Sequence, residues 1–440
     1  MGTVEYDLVV HNALLVACGA DHCVIPEGLV CVRDGVLAFV GEEPGQGPPP
    51  AAEVIDAEQA LVLPGLVNTH NHASMSLFRG MADDLPLMEW LNEHMFPAEA
   101  AMVNNSTARA GALVSCAEML LSGTTCFSDG YFCEDGVAEA VAEAGMRAVL
   151  AQGVIDHPAP GVPDPAKNLE TAMDFVRRWQ GENPLITPSV FCHAPYTCSR
   201  ETLTAAKEAA RRAGVLFQIH VAETSGERQR FLDGHGLTPV AYLDQLGLLD
   251  ENTLAVHCVW VDDEDIALLN ARGAAVALAT ESNMKLASGV APVYRMLGAG
   301  LRMGLGTDGP ASNNDLDMFG EMGATARLQK VHTGDPTVLP AARALALATS
   351  MAADAVGLGG VCGSLEAGKR ADIVVMRADS PRLWPRYDPH STLVYAATGA
   401  DVRHVIVDGR VVVRDRRITT FDLEEAMRDL VAICQDGING

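Results

Sequence analysis

The sequence predicts an α/β fold: a (β/α)8 TIM barrel with a small β-sandwich domain formed by the N- and C-terminal segments. Three observations carry this. Eight apolar, β-rich runs recur through the middle of the 440-residue chain, with helical segments between them. That alternation is expected of a parallel sheet buried on both faces, and eight units suit closure into a barrel. Both ends of the chain have a different texture, of short hairpins. Residues 1–60 together with 365–420 are therefore expected to form the small β domain, 61–364 the barrel, and 421–440 a C-terminal helix.

Taken in order, LVCVRDGVLAFVG places two β-rich runs around Asp34-Gly35, a pair suited to a tight hairpin turn. GEEPGQGPPPAAE, rich in Gly and Pro, reads as a loop. The barrel runs are LVLPGLVNTH, TTCFSDG, RAVLAQGV, LITPSVFCHAPY, VLFQIHVAE, LAVHCVW, AAVALATES and LRMGLGTDG. STARAGALVSCAEMLLSG and SRETLTAAKEAARRAG are helical connections. The second opens on Ser199 and carries Glu201, with charges and alanines at helix spacing. ADIVVM and VRHVIVDGRVVVRD, turning at Asp408-Gly409, return to the hairpin texture.

With 48% hydrophobic residues the chain can bury a large core. Its 31 Lys+Arg against 57 Asp+Glu give a formal net charge of -26. So acidic a chain is unsuited to nucleic-acid phosphates or an anionic membrane surface. No apolar run approaches the length of a membrane span, and MGTVEYDLVV has no basic region leading into an apolar stretch. The eleven cysteines include no C-x-x-C pair, and Cys116, Cys126, Cys192 and Cys258 sit in apolar runs as reduced, buried thiols would. A cytoplasmic protein is expected.

Barrel active sites lie at the C-terminal ends of the strands. Strand 1 ends in His70 and His72, two apart and so on one face. Strand 4 ends in His193, strand 5 in His220 followed by Glu223, strand 6 in His257, and strand 8 in Asp308. Five of the 13 histidines thus converge on one rim. His70, His72, His220 and Asp308 are assigned to one divalent metal ion, Zn²⁺ being the first choice, with Fe²⁺ and Mn²⁺ compatible with the same ligands.

These features resemble the amidohydrolase superfamily, through LPGLVNTHNH, HVAE, VHC, GTDG and GSLEAGKRADIVV, along nearly the whole chain. Many members bridge two metals with a carboxylated lysine at the end of strand 4. Here that strand ends in His193, and no lysine lies between Lys167 and Lys207, which favours one metal. A single ion lowers the pKa of its water from about 16 to near 7. Asp308 is expected to hold the water's proton, Glu223 to protonate a ring nitrogen, and His257 to orient the attacking oxygen. These roles suit hydrolytic deamination of an aromatic ring. The cytidine-type zinc deaminases, with H-x-E and P-C-x-x-C, are excluded because neither motif occurs.

Over almost its full length the chain is similar to the 5'-methylthioadenosine / S-adenosylhomocysteine deaminase family. That resemblance implies substrate-binding roles for Trp90 and Glu99, in the insertion SLFRGMADDLPLMEWLNEHMFPAEA, with Glu99 on the ribose hydroxyls. It implies purine contacts from His193, in HAPYTCS, and a role for Ser312, in GTDGPASNN. Some members that accept the homocysteine tail have an arginine where this chain has Gln152, in RAVLAQG, so an uncharged 5' group is expected. The implied partner is a small-molecule purine nucleoside, acted on by a homo-oligomer, with no nucleic acid or membrane involved. Aminohydrolysis of a guanine-type base, a pterin or an s-triazine is the alternative on this fold. A catalytically inactive binding protein is more remote.

Overall fold

The computed structural model describes residues 5–439. The first four residues of MGTVEYDLVV and residue 440 of the C-terminal segment lie outside the described residues.

Eight strands form the barrel: β1 (Leu66–Asn71), β2 (Thr124–Tyr131), β3 (Arg147–Val154), β4 (Val190–Cys192), β5 (Phe217–Val221), β6 (Thr253–His257), β7 (Ala275–Leu278) and β8 (Arg302–Leu305). They pair in parallel in chain order. Their residues are almost wholly buried, which is why the runs read as apolar rather than alternating. The run LITPSVFCHAPY is divided. Ile186–Pro188 pairs with the start of β3, then Ser189 N–H bonds to the Leu150 carbonyl at 2.8 Å and β4 begins.

Side chains complete the seam between β8 and β1. Asn68 Nδ2 donates to Thr307 Oγ1 at 2.7 Å, while Asn68 Oδ1 accepts from Thr307 N at 3.0 Å. Asp308 N donates to the His70 carbonyl at 3.0 Å. The first strand's histidines are thereby tied to the last strand's aspartate.

The two ends of the chain build one nine-stranded sheet. Leu61–Pro64 runs antiparallel to Ile373–Met376 and joins the N-terminal strands to the C-terminal ones. Leu8, Val10, Leu15, Val30, Val62, Ile373 and Ile406 contribute to its own apolar core. Both expected hairpins are present. Asp34 (φ 53°) and Gly35 (φ 71°), like Asp408 (φ 54°) and Gly409 (φ 80°), take the left-handed conformation at two successive positions, as a type I′ turn requires. Arg147, at the start of β3, is buried against Asp372, Nε to Oδ2 2.8 Å, and links the sheet to the barrel.

Three helices frame the site. After one π-helical turn, Trp90–Met95, the insertion continues as α1 (Phe96–Met102). Asn104 caps α2 (Asn105–Leu121) by accepting from Ser106 N and Thr107 N. Ser115 of α2 donates to the Ala73 carbonyl at 2.7 Å, and Ser76 to that of Gly111 at 2.7 Å, fixing the loop that follows β1. A Cβ on Gly111 would fall 2.6 Å from the Ser74 carbonyl oxygen, so this approach requires glycine. The C-terminal helix α3 (Leu423–Asn439) packs Leu430, Ile433 and Cys434 into the apolar cluster of Trp90 and Met102, and so braces the insertion.

Candidate active site

His70 and His72 leave β1 on one face, as a two-residue spacing dictates. Their rings meet edge to face, 4.7 Å apart, and the His220 ring lies 5.0 Å from His70. His220 Nε2 stands 3.1 Å from His70 Nε2. Asp308 Oδ1 is 3.3 Å from His70 Nε2 and 3.4 Å from His72 Nε2. His72 Nδ1 is 2.9 Å from the Gly130 carbonyl oxygen, which can only accept. The proton therefore sits on Nδ1 and the Nε2 lone pair faces the cluster.

Burial keeps these imidazoles neutral: it depresses His70, lowers His72 to about 3, and with the neighbouring rings drives His220 well below its ordinary value. Burial opposes the Asp308 charge, yet its hydrogen bond to His70 and the surrounding imidazoles hold it well below the usual carboxylate range. Three buried imidazoles gathered against one carboxylate are a donor set suited to a divalent cation. The donor set fits a divalent metal, and ligand atoms of His70, His72 and His220 all lie within 4.8 Å of one another.

The segment after β7, which holds the short helix Thr280–Lys285, supplies Ser282 and Asn283, and the segment after β8 supplies Ser312. Ser282 Oγ donates to Asp308 Oδ2 at 2.7 Å, and Ser312 Oγ to the same oxygen at 2.9 Å. Asn283 Nδ2 lies 3.1 Å from His257 Nδ1 and donates to it, which leaves the proton of neutral His257 on Nε2. Nε2 lies 3.9 Å from Glu223 Oε2. His257 (φ 73°) and Asp308 (φ 62°) both take left-handed backbone conformations, a strain typical of residues whose side chains are held for function. Glu227 anchors the loop beneath Glu223 by accepting from Ala222 N and Glu223 N, each at 2.9 Å. Burial raises the Glu223 carboxyl above its ordinary pKa, which favours the protonated form.

These groups open into a cleft lined also by Trp90, Phe96, Glu99, Tyr131 and His193. His193 Nδ1 bonds Thr197 Oγ1 at 2.8 Å and leaves Nε2 for a ligand. Ser312 lines the cleft while it holds Asp308. Glu99 is buried, and burial lifts its carboxyl to about 7 although a hydrogen bond from Tyr131 opposes the rise. A second chamber shares Phe96, Glu99 and Phe132 with the first and continues past Asn92, Ile155 and the His157–Pro160 loop. No lysine or arginine lines it.

Gln152 is not brought to the cleft. Its Oε1 accepts from Glu134 N at 3.2 Å, and its neighbour Gly153 lines the cavity instead. Successive residues of a strand face opposite ways, so the two cannot share that wall.

The amidohydrolase family model matches residues 61–412. The chain is 45% identical over 428 residues to the 5-methylthioadenosine/S-adenosylhomocysteine deaminase of Syntrophobacter fumaroxidans, covering 97% of each. It is 43% identical to the 5'-deoxyadenosine deaminase of Methanosarcina acetivorans, covering 96% of each. The crystal structure of an adenosine deaminase from Xanthomonas campestris with bound zinc superposes with a TM-score of 0.95 at 33% identity, over 99% of both chains.

Proposed function

The chain belongs to the amidohydrolase family, and on that premise we propose that it hydrolyses the 6-amino group of adenine nucleosides, with 5'-methylthioadenosine, 5'-deoxyadenosine and adenosine preferred. The products are the inosine analogue and ammonia. One observation carries the reading: a buried carboxyl, Glu99, lines the same cleft as His72, His220, Asp308, Glu223 and His257. A free base or a triazine has no sugar hydroxyls to engage Glu99. Its relatives' names agree with a nucleoside substrate.

His70, His72, His220 and Asp308 would hold one metal ion, which we take to be Zn²⁺; when bound it supplies an activated water at neutral pH. Asp308 would take a proton from the attacking water on Oδ1, while Ser282 and Ser312 hold its other oxygen. His257 Nε2–H orients the attacking oxygen toward C6. Glu223, whose carboxyl burial shifts toward the protonated form, delivers a proton to N1 as the carbon becomes tetrahedral. The proton on Asp308 passes to the amino group, ammonia departs, and the proton left on the C6 hydroxyl returns to Glu223 as the carbonyl forms. Trp90 and His193 hold the purine, Ser312 is near enough to contact it as well as Asp308, and Glu99 accepts hydrogen bonds from the ribose hydroxyls.

The tail preference rests on the second chamber. It continues from Glu99, where the ribose would sit, and offers no cation to an amino-acid carboxylate. Ammonia release measured side by side on 5'-methylthioadenosine, adenosine, S-adenosylhomocysteine, guanine and an s-triazine tests the reading. The three nucleosides are expected to react, the homocysteine derivative most slowly; activity confined to the free ring compounds would refute it. His157→Arg, which puts a cation on the chamber wall, is expected to raise the S-adenosylhomocysteine rate relative to 5'-methylthioadenosine about tenfold or more, the effect of one charge-assisted hydrogen bond.

A further inference from the structure

Tyr131 closes β2 at the floor of the cleft. Its buried hydroxyl donates to Glu99 Oε1 at 2.7 Å. Among the described residues it is the sole hydrogen-bond partner of that carboxyl. A carboxylate has about four lone-pair positions. With one taken by the phenol, Oε2 and the second lone pair of Oε1 remain to meet two vicinal hydroxyls. The aromatic ring is rigid and anchored in the barrel, whereas Glu99 rides on α1 in the insertion. Tyr131 thus ties the sugar-binding carboxyl to the same scaffold that carries the metal ligands; its ring centroid lies 5.7 Å from that of His72.

We propose that Tyr131 is a positioning residue for ribose recognition: its O–H holds the Glu99 carboxylate in the orientation that receives the 2'- and 3'-hydroxyls. The proposal rests on the reading of the substrate as a ribonucleoside. It assigns to β2, which supplies no metal ligand, the task of fixing the distance between sugar and reacting carbon. Burial leaves the Glu99 carboxyl near 7, and the Tyr131 hydrogen bond favours its charged form, so losing the hydroxyl weakens sugar binding most in mildly acidic solution.

The test compares adenosine with 2',3'-dideoxyadenosine in the metal-loaded wild type, Tyr131→Phe, Glu99→Gln and the double variant. Rates are read as kcat/KM, or as an inhibition constant against adenosine where dideoxyadenosine turns over too slowly. Tyr131→Phe is expected to raise KM for adenosine roughly tenfold with kcat changed less than about threefold, as loss of one hydrogen bond to a charged group predicts. The dideoxy compound should change less than about twofold. The acidic limb of the adenosine kcat/KM profile should move to higher pH. The two substitutions should fall short of additivity, as partners in one network do. Equal losses on both compounds, full additivity, or loss of bound metal in Tyr131→Phe would overturn the proposal. A wild type that deaminates neither nucleoside would refute the substrate reading itself.

Discussion

Glu223 and His257 occupy one corner of the cleft, yet different causes hold them there. Glu223 is held by its loop, anchored on Glu227, and its acidity is set by burial; His257 is turned by Asn283. Glu223→Gln keeps the volume and removes the proton. It is expected to retain metal and to lose about 10²- to 10⁴-fold in kcat, the range of a general acid; elemental analysis and steady-state rates check both parts, and normal turnover would remove Glu223 from the mechanism. At this scale the strand-end residues His70, His72, His220 and Asp308 were legible in the sequence, because strand periodicity and barrel polarity fix where a strand-end side chain points. Ser282, Asn283, Thr197 and Tyr131 were not. Their roles are contacts between residues distant in the chain or side-chain pairs within a loop, and Ser, Asn and Tyr at strand ends have many other uses. Gln152 was expected near the substrate through the family resemblance, whereas alternation along the strand turns it away and leaves Gly153 on the wall. A signal for Tyr131 does exist: it is an aromatic residue at the end of a barrel strand, with its hydroxyl available to the rim.

The elements matter through their seams. β1 and β8 meet through the Asn68 amide and Thr307, directly below His70 and Asp308. Asn68→Ala leaves the buried Thr307 N–H without that acceptor, at a cost of roughly 2–3 kcal/mol. We expect a lower unfolding midpoint together with weaker metal retention during dialysis against a chelator; a destabilised variant with unchanged metal affinity would mean the seam does not set the ligand geometry. The eight barrel runs and both hairpin turns were readable from apolar continuity and from Asp-Gly pairs. The division of LITPSVFCHAPY was not, because only Ser189 separates the two short strands and a single polar residue does not mark a strand end. Nor did the sequence indicate that α3 returns to brace the insertion. A C-terminal helix was expected, but what a helix packs against is decided by tertiary structure.

At the scale of the whole molecule, buried charge sets how stability responds to pH. Asp129 is fully buried on β2, its Oδ1 lacks a hydrogen-bond partner, and burial lifts it to about 7. Its unfolded value is about 4. The folded chain therefore holds a proton that the unfolded chain releases, and stability falls as pH rises from about 4 through 7. Asp129→Asn should flatten that decline between pH 5 and pH 8 in thermal unfolding, while equal slopes in variant and wild type would show that Asp129 is not the group responsible. All eleven cysteines are free thiols, nine of them buried, so no covalent link supplements the packing.

The proposed ligands, drawn from three strands, are of use only if they meet around one ion. Protein stripped with a chelator and titrated with Zn²⁺, while ammonia release from 5'-methylthioadenosine is followed, tests that most directly. Activity should rise linearly and saturate at one equivalent per chain, and His220→Ala should neither bind the metal nor release ammonia. Full ammonia release from metal-free protein, or saturation only at two equivalents, would contradict it.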